Sequence, residues 1–87
     1  MRAAGGARLV VYSRAYCHLC EDMVAALTAL APARGFTLDV VDVDADPELA
    51  AEYGLLVPVL TVDDAEVCHY RLDAQKLDAA LAASGHR

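Results

Sequence analysis

The sequence predicts an α/β domain in the order βαβαββα, folded as a four-stranded mixed sheet with helices on both faces. Three observations carry that reading. The run Leu9-Val10-Val11-Tyr12 is apolar and β-prone without alternation, which suits a strand buried on both faces. From Cys17 the apolar period becomes helical, and a second β-prone run follows at Thr37, so the chain opens as a parallel βαβ unit with a right-handed crossover. Two further β-prone runs flank Asp63-Asp64, the pattern of a hairpin that adds two antiparallel strands.

Met1 to Ala7 is small and glycine-containing and is expected to fray, as is the tail 85–87. The first strand takes Arg8 to Ser13, and Ser13 to Tyr16 interrupts the pattern as a short loop. In the first helix Cys20, Val24, Leu27 and Ala31 recur at i, i+4, i+7 and i+11, with Met23 and Leu30 widening the stripe. Glu21 and Asp22 occupy its opening turns, where acidic side chains favour the helix N-terminus. Pro32 and Gly35 end it within Ala31 to Arg34. Thr37 to Val43 forms the second strand. Asp46-Pro47-Glu48 then reads as N-cap, N1 and N2 of a short helix that Gly54 closes. Because proline inside a strand is confined to its start, an edge or a bulge, the third strand should begin at Pro58. Glu66 to Arg71 returns as the fourth. Asp73 is the N-cap of the last helix, Leu72 and Leu77 have the spacing of a hydrophobic staple, and Gly85 ends it.

Eighty-seven residues make one domain. Seven Lys+Arg against thirteen Asp+Glu give a formal net charge of −6 with no basic cluster, which argues against nucleic acid or an anionic membrane as partner. A hydrophobic fraction of 57% demands a packed core. With no Trp, no Ile and a single Phe, that core is Leu, Val and Ala, and its margin is thin. The longest uncharged apolar stretch, Met23 to Ala33, is too short to span a bilayer, and no secretory leader is recognisable. A cytoplasmic monomer is the expectation. Three cysteines are an odd number, so a full disulfide framework is excluded. In a reducing compartment a close pair points to metal binding or redox chemistry.

That pair is Cys17 and Cys20, in Tyr16-Cys17-His18-Leu19-Cys20 at the junction of the first strand and helix. Residues three apart share a helical face, so the two sulfurs can reach each other. Unpaired N–H groups at the helix start favour an anion on Cys17 and lower a thiol's pKa below its ordinary value of about 8.5. Cys20, a turn deeper on the apolar stripe, should be buried and keep its proton. Cys17 is therefore expected to attack and Cys20 to resolve the mixed disulfide. His18 and Arg14 are candidate cations for stabilising the thiolate, against Glu21 and Asp22. Tyr16 would shield the thiol or line the partner's groove.

The stretch from Tyr12 through Cys20, with Val57-Pro58 and the element order, resembles the thioredoxin superfamily, and within it the small glutaredoxin-like bacterial proteins. The likeness runs from Leu9 to about Ser84. It implies a thiol–disulfide oxidoreductase, a cis Val57–Pro58 bond beside the cysteines, and a Val57 backbone that pairs with the bound partner. The partner would be a disulfide-containing protein or a small thiol. No resident cofactor is implied, and electrons would arrive as thiols from glutathione or a reductase. Arg14 stands where the family usually has Lys, and Asp73 matches an acidic residue at the start of the last helix. The sequence departs from glutaredoxins in having Val57 in place of Thr before the proline. Where they carry Gly-Gly it has the bulky His69-Tyr70-Arg71-Leu72-Asp73. These departures weigh on glutathione binding and leave dithiol exchange intact.

Competing uses of the same cysteines are a zinc site, an iron–sulfur cluster or a non-catalytic binding module. Structural zinc wants four ligands, and only Cys68, His69 and His18 remain to complete a set, with no second close pair. No metal site is therefore assigned. Cys68 reads as a small buried hydrophobe, and His69 faces the other side of its strand. Tyr12 and Tyr53 read as core or rim, and His86 as part of the tail. Aspartates 42, 44 and 46 lack the glycine and terminal glutamate of a calcium loop.

Overall fold

The computed structural model describes residues 6–84. Their elements are β1 (Arg8–Ser13), α1 (His18–Arg34), β2 (Thr37–Asp42), a 3-10 turn (Val43–Ala45), α2 (Pro47–Tyr53), β3 (Val59–Val62), β4 (Ala65–His69) and α3 (Ala74–Ser84). The strands lie in the order β2-β1-β3-β4. β1 runs parallel to β2 and antiparallel to β3, and β3 is antiparallel to β4, which is the mixed sheet the sequence predicts.

Register explains the two-faced burial of β1. Leu9 opposes Val62 and Val11 opposes Leu60, so these four side chains share one face. There they pack with Met23 and Leu27 of α1, Cys68 of β4 and Leu77 of α3. Val10 and Tyr12 point the other way, opposite Thr61 and Val59. On that face Tyr53 of α2 stacks on Tyr12 with ring centroids 4.4 Å apart. The helices thus cover both faces, and Tyr12 and Tyr53 are a packed pair. Leu72 packs against the core, of which fully buried Leu77 is a member.

The boundaries differ from expectation where a backbone group is committed elsewhere. Cys17 is the N-cap of α1; Pro32 does not end the helix but lies inside it, and the helix stops at Arg34, within the expected Ala31 to Arg34. Gly35 ends it at φ 72, a left-handed conformation that glycine adopts freely, with its N–H donating to the Ala31 carbonyl at 2.8 Å. β2 stops at Asp42 because the Asp42 carboxylate accepts from the Asp44 N–H and caps the 3-10 turn. β3 begins at Val59, since Pro58 has no N–H to give the ladder. β4 starts at Ala65 and ends at His69, because Tyr70 turns to φ 66. Its pairing slips between Leu60 and Thr61, where Leu60 faces Cys68 but Thr61 faces Glu66. Ala7, expected to fray, is buried, and its carbonyl accepts from Thr37 N–H at 3.1 Å. Asp46 caps α2 through the Glu48 N–H, and Asp73 caps α3 through the Lys76 N–H, both as expected. The expectations for Met1 to Gly5 and for Gly85 and His86 fall outside the described residues. No helix among those described is long and apolar enough to cross a membrane.

Candidate active site

β1 delivers the chain to the carboxyl end of the sheet, and a loop over Arg14 to Tyr16 turns it into α1. Cys17 sits at the turn with extended backbone (φ −110, ψ 105), and its Sγ accepts a hydrogen bond from Cys20 N–H at 3.1 Å. The sulfur therefore does what a capping Ser or Asp oxygen does elsewhere, receiving one of the helix's unpaired donors. Glu21 N–H reaches the Cys17 carbonyl at 3.1 Å and closes the first turn. The two cysteines are joined as a disulfide with their Cα atoms 5.2 Å apart. Cys20 is 3% exposed and Cys17 partly exposed, so the leading cysteine is the more accessible of the two.

The neighbours divide their roles. His18 lies almost wholly in solvent, its Nδ1 4.0 Å from Glu21 Oε1. Arg14 directs its guanidinium to Asp44, with Nε to Oδ2 at 3.1 Å and Nη2 to Oδ1 at 2.8 Å, and gives Nη1 to the Gly54 carbonyl at 2.9 Å. That fork fastens the active-site loop to the 3-10 turn and to the end of α2. The hydrogen bond from Arg14 holds the Asp44 carboxyl below its ordinary range, and Asp44 in turn raises Arg14. Arg14's charge is thus offset locally by Asp44, whereas the sequence suggested a cation acting on Cys17. The aspartate partner, thirty residues away, is invisible to a motif search.

The Val57–Pro58 bond is cis, as the resemblance implied, and Pro58 is buried. Since Tyr12 opposes Val59, Pro58 lies at the same sheet end as the cysteine loop. Its carbonyl accepts from Tyr70 N–H at 2.9 Å, and the Tyr70 hydroxyl donates to the Leu55 carbonyl at 3.1 Å. Tyr70 therefore bridges both ends of the Leu55–Pro58 loop. Between that tyrosine and the first turns of α1 runs a groove of about 280 Å³, lined by Leu19, Asp22, Met23, Tyr70, Arg71 and Leu72. A second groove of about 330 Å³ reaches Cys20 from the side of Arg14 and Val40. Tyr16 stands fully exposed beside Cys17. Leu55 and Tyr70 were not among the expected site residues, and nothing in a β-prone run signals that Leu55 is turned into water.

Cys68 lies away from the pair, buried in the core as expected, and burial pushes its thiol up. His69 points outward, 3.4 Å from Glu66. Among the described residues no group of three or more His, Cys, Asp and Glu side chains converges to hold a metal.

The glutaredoxin-like domain family (DUF836) matches residues 8–82. The chain is 32% identical over 77 residues to the uncharacterized protein Rv0508 of Mycobacterium tuberculosis (strain H37Rv), covering 83% of this chain and 79% of the relative. It is similar in structure to Ne2328 from Nitrosomonas europaea, with a TM-score of 0.82 and 40% identity over 93% of this chain and 98% of that one. Fasciola hepatica thioredoxin shares the fold at a TM-score of 0.60 and 24% identity, over 92% of this chain and 82% of the thioredoxin.

Proposed function

This chain belongs to the glutaredoxin-like domain family and has a thioredoxin fold, and from that footing we propose that it is a thiol–disulfide oxidoreductase working through Cys17 and Cys20. The observation that carries the reading is the Cys20 N–H aimed at Cys17 Sγ from 3.1 Å. A donor fixed on that sulfur stabilises the thiolate, the form that attacks disulfides.

In the reduced protein the Cys17 thiolate attacks one sulfur of a partner disulfide, forming a mixed disulfide and expelling the partner's other sulfur as a thiolate. Cys20 then loses its proton and attacks Cys17 Sγ. The second partner sulfur leaves, and the Cys17–Cys20 disulfide forms. Two electrons pass to the partner, whose two sulfurs take up protons. Thiols, from glutathione or a reductase, return the electrons. Burial of Cys20 keeps it protonated until the mixed disulfide brings an electrophilic sulfur to it.

Val57 and Pro58 would seat the partner chain through the Val57 backbone, with Tyr16 at the mouth. His18 adds positive charge only when protonated, and salt screens it in its exposed position. Arg14 serves the site by holding its loop in place. We place this chemistry in the cytoplasm, in a monomer acting on a disulfide-bearing protein or a small thiol, away from nucleic acid and membrane.

Reduction of hydroxyethyl disulfide and of insulin by the wild type and by Cys17→Ser tests the proposal. Loss of turnover in the variant is the expected result, and equal rates in the two proteins would refute it.

A further inference from the structure

The charges around the cysteine pair do not balance. Glu21 and Asp22 follow Cys20 directly in the opening turns of α1. Glu21 meets His18 at 4.0 Å, and that ring carries charge only when protonated. Asp22 lines the groove beside Leu19 and enters no ion pair among the described residues. Arg14, the cation of the loop before Cys17, has its charge taken up by Asp44 at 2.8 Å and its third donor by the Gly54 carbonyl. Asp42, opposite Ser13 at the end of β1, acts on the same guanidinium.

The other described cations do little to restore the balance. Arg8 and Arg34 pair with Asp39 and Asp78, and Lys76 lines the groove beside Cys68. Arg71 lines the groove that holds Asp22. Four carboxylates (Glu21, Asp22, Asp42 and Asp44) thus face two guanidinium groups (Arg14 and Arg71), in a chain of formal net charge −6. Acidic side chains at a helix start favour the helix. Here they also charge the approach to a partly exposed cysteine, and a field of one sign acts on any ion that comes within a Debye length.

We infer that the disulfide substrate is cationic: the site selects a disulfide bearing ammonium or guanidinium groups near its sulfurs over one bearing carboxylates. The inference rests on the redox reading above, because Cys17 fixes where the substrate sulfur must come. A group attached a few bonds from that sulfur then lies within reach of the carboxylates of α1. An ammonium there is attracted by Glu21 and Asp22. A carboxylate is repelled by both, and Arg14 has no charge to spare for it. The field changes the approach and leaves the exchange as written above: Cys17 Sγ bonds one substrate sulfur, and the other departs as a thiolate with the electron pair of the broken bond.

Three small disulfides of similar size, cystamine, hydroxyethyl disulfide and dithiodipropionate, are compared as substrates of the reduced protein. Each rate is divided by the rate of free mercaptoethanol with the same disulfide, which removes differences between the leaving sulfurs. At low ionic strength the cationic disulfide should then react about tenfold faster than the anionic one, with the neutral one between them. At 1 M salt, where the Debye length is about 3 Å, the gap should close to within about twofold. The double variant Glu21→Gln, Asp22→Asn should narrow the gap at low salt, and its rate on the neutral disulfide reports any change in Cys17 itself. Equal normalised rates, a faster anionic disulfide, a gap that survives 1 M salt or one that the double variant leaves intact each overturns the inference while the redox reading stands. Wild type no faster than Cys17→Ser on all three disulfides removes the redox reading, and the charge preference with it.

Discussion

The thiolate at Cys17 can be isolated by Cys20→Ser, which leaves the Cys20 backbone N–H in place and removes the resolving sulfur. Cys68 is buried, so Cys17 becomes the one accessible thiol. A hydrogen bond from a backbone N–H to a charged acceptor contributes about 1.5–3 kcal/mol, and the helix end adds about 0.3–1 kcal/mol. The exposed Glu21 and Asp22 carboxylates oppose this by a few tenths. A net of about 2 kcal/mol multiplies the thiolate-to-thiol ratio roughly 30-fold. An unperturbed thiol is about 3% ionised at pH 7, and Cys17 should be ionised beyond that. Iodoacetamide alkylation of the variant across pH, with the labelled residue located by mass spectrometry, measures this directly. A midpoint clearly below that of free cysteine is expected, and one at or above it refutes the reasoning. The same preference has a stability sign: a thiol ionising more readily in the folded state stabilises the reduced protein above its unfolded midpoint. That stability is lost as pH falls through the folded one, so the melting temperature of the variant should rise with pH up to about 8.5.

Three further outcomes concern the scaffold. Leu77 is fully buried among Leu9, Val11, Leu27 and Leu60, so Leu77→Ala should cost about 2–5 kcal/mol, read as a lower urea midpoint; a change under about 1 kcal/mol would contradict the packing. Asp73→Ala removes the carboxylate that accepts from Lys76 N–H at 3.1 Å, and should cost about 0.5–2 kcal/mol in the same melt, with Asp73→Asn recovering most of it. In the oxidised protein Cys68 is the sole free thiol, and burial raises it. Its contribution is complete below the ordinary thiol value and is lost as pH rises through the folded one. Melting temperature should therefore fall more steeply above about pH 8.5 in wild type than in Cys68→Ala; identical alkaline slopes would show that Cys68 ionises freely in the folded state.

The order of elements was readable because each rests on a local signal. Apolar spacing from Cys20 to Ala31 defines the stripe of α1, Gly35 stops it, and Asp46-Pro47 and Asp73 start the next two helices. The cysteine pair was readable for the same reason, since three-residue spacing and a strand–helix junction are both properties of one short segment. What stayed hidden depends on residues far apart. Arg14 meets Asp44 only after β2 has run beside β1. Tyr70 ends β4 early because its N–H and hydroxyl find the Pro58 and Leu55 carbonyls, and no propensity of Tyr, Arg or Leu encodes that. The slip of β4 against β3 depends likewise on which residues meet across the hairpin.

Arg14 changes what kind of electrostatics the site uses. A cation free to approach Cys17 would stabilise the thiolate through space, and salt would weaken it. With its guanidinium committed to Asp44 and Gly54, and with His18 in bulk water, the main positive influence on the sulfur is the N–H of Cys20, fixed in direction by the helix that begins there. A donor held at hydrogen-bond distance acts within the first turn. The same helix carries Cys20 inward onto the core stripe beside Met23 and Leu27. One structural fact, the start of α1 at Cys17, therefore gives the leading sulfur a helix-end donor and a partly exposed position while it buries its mate, the asymmetry on which the proposed exchange rests.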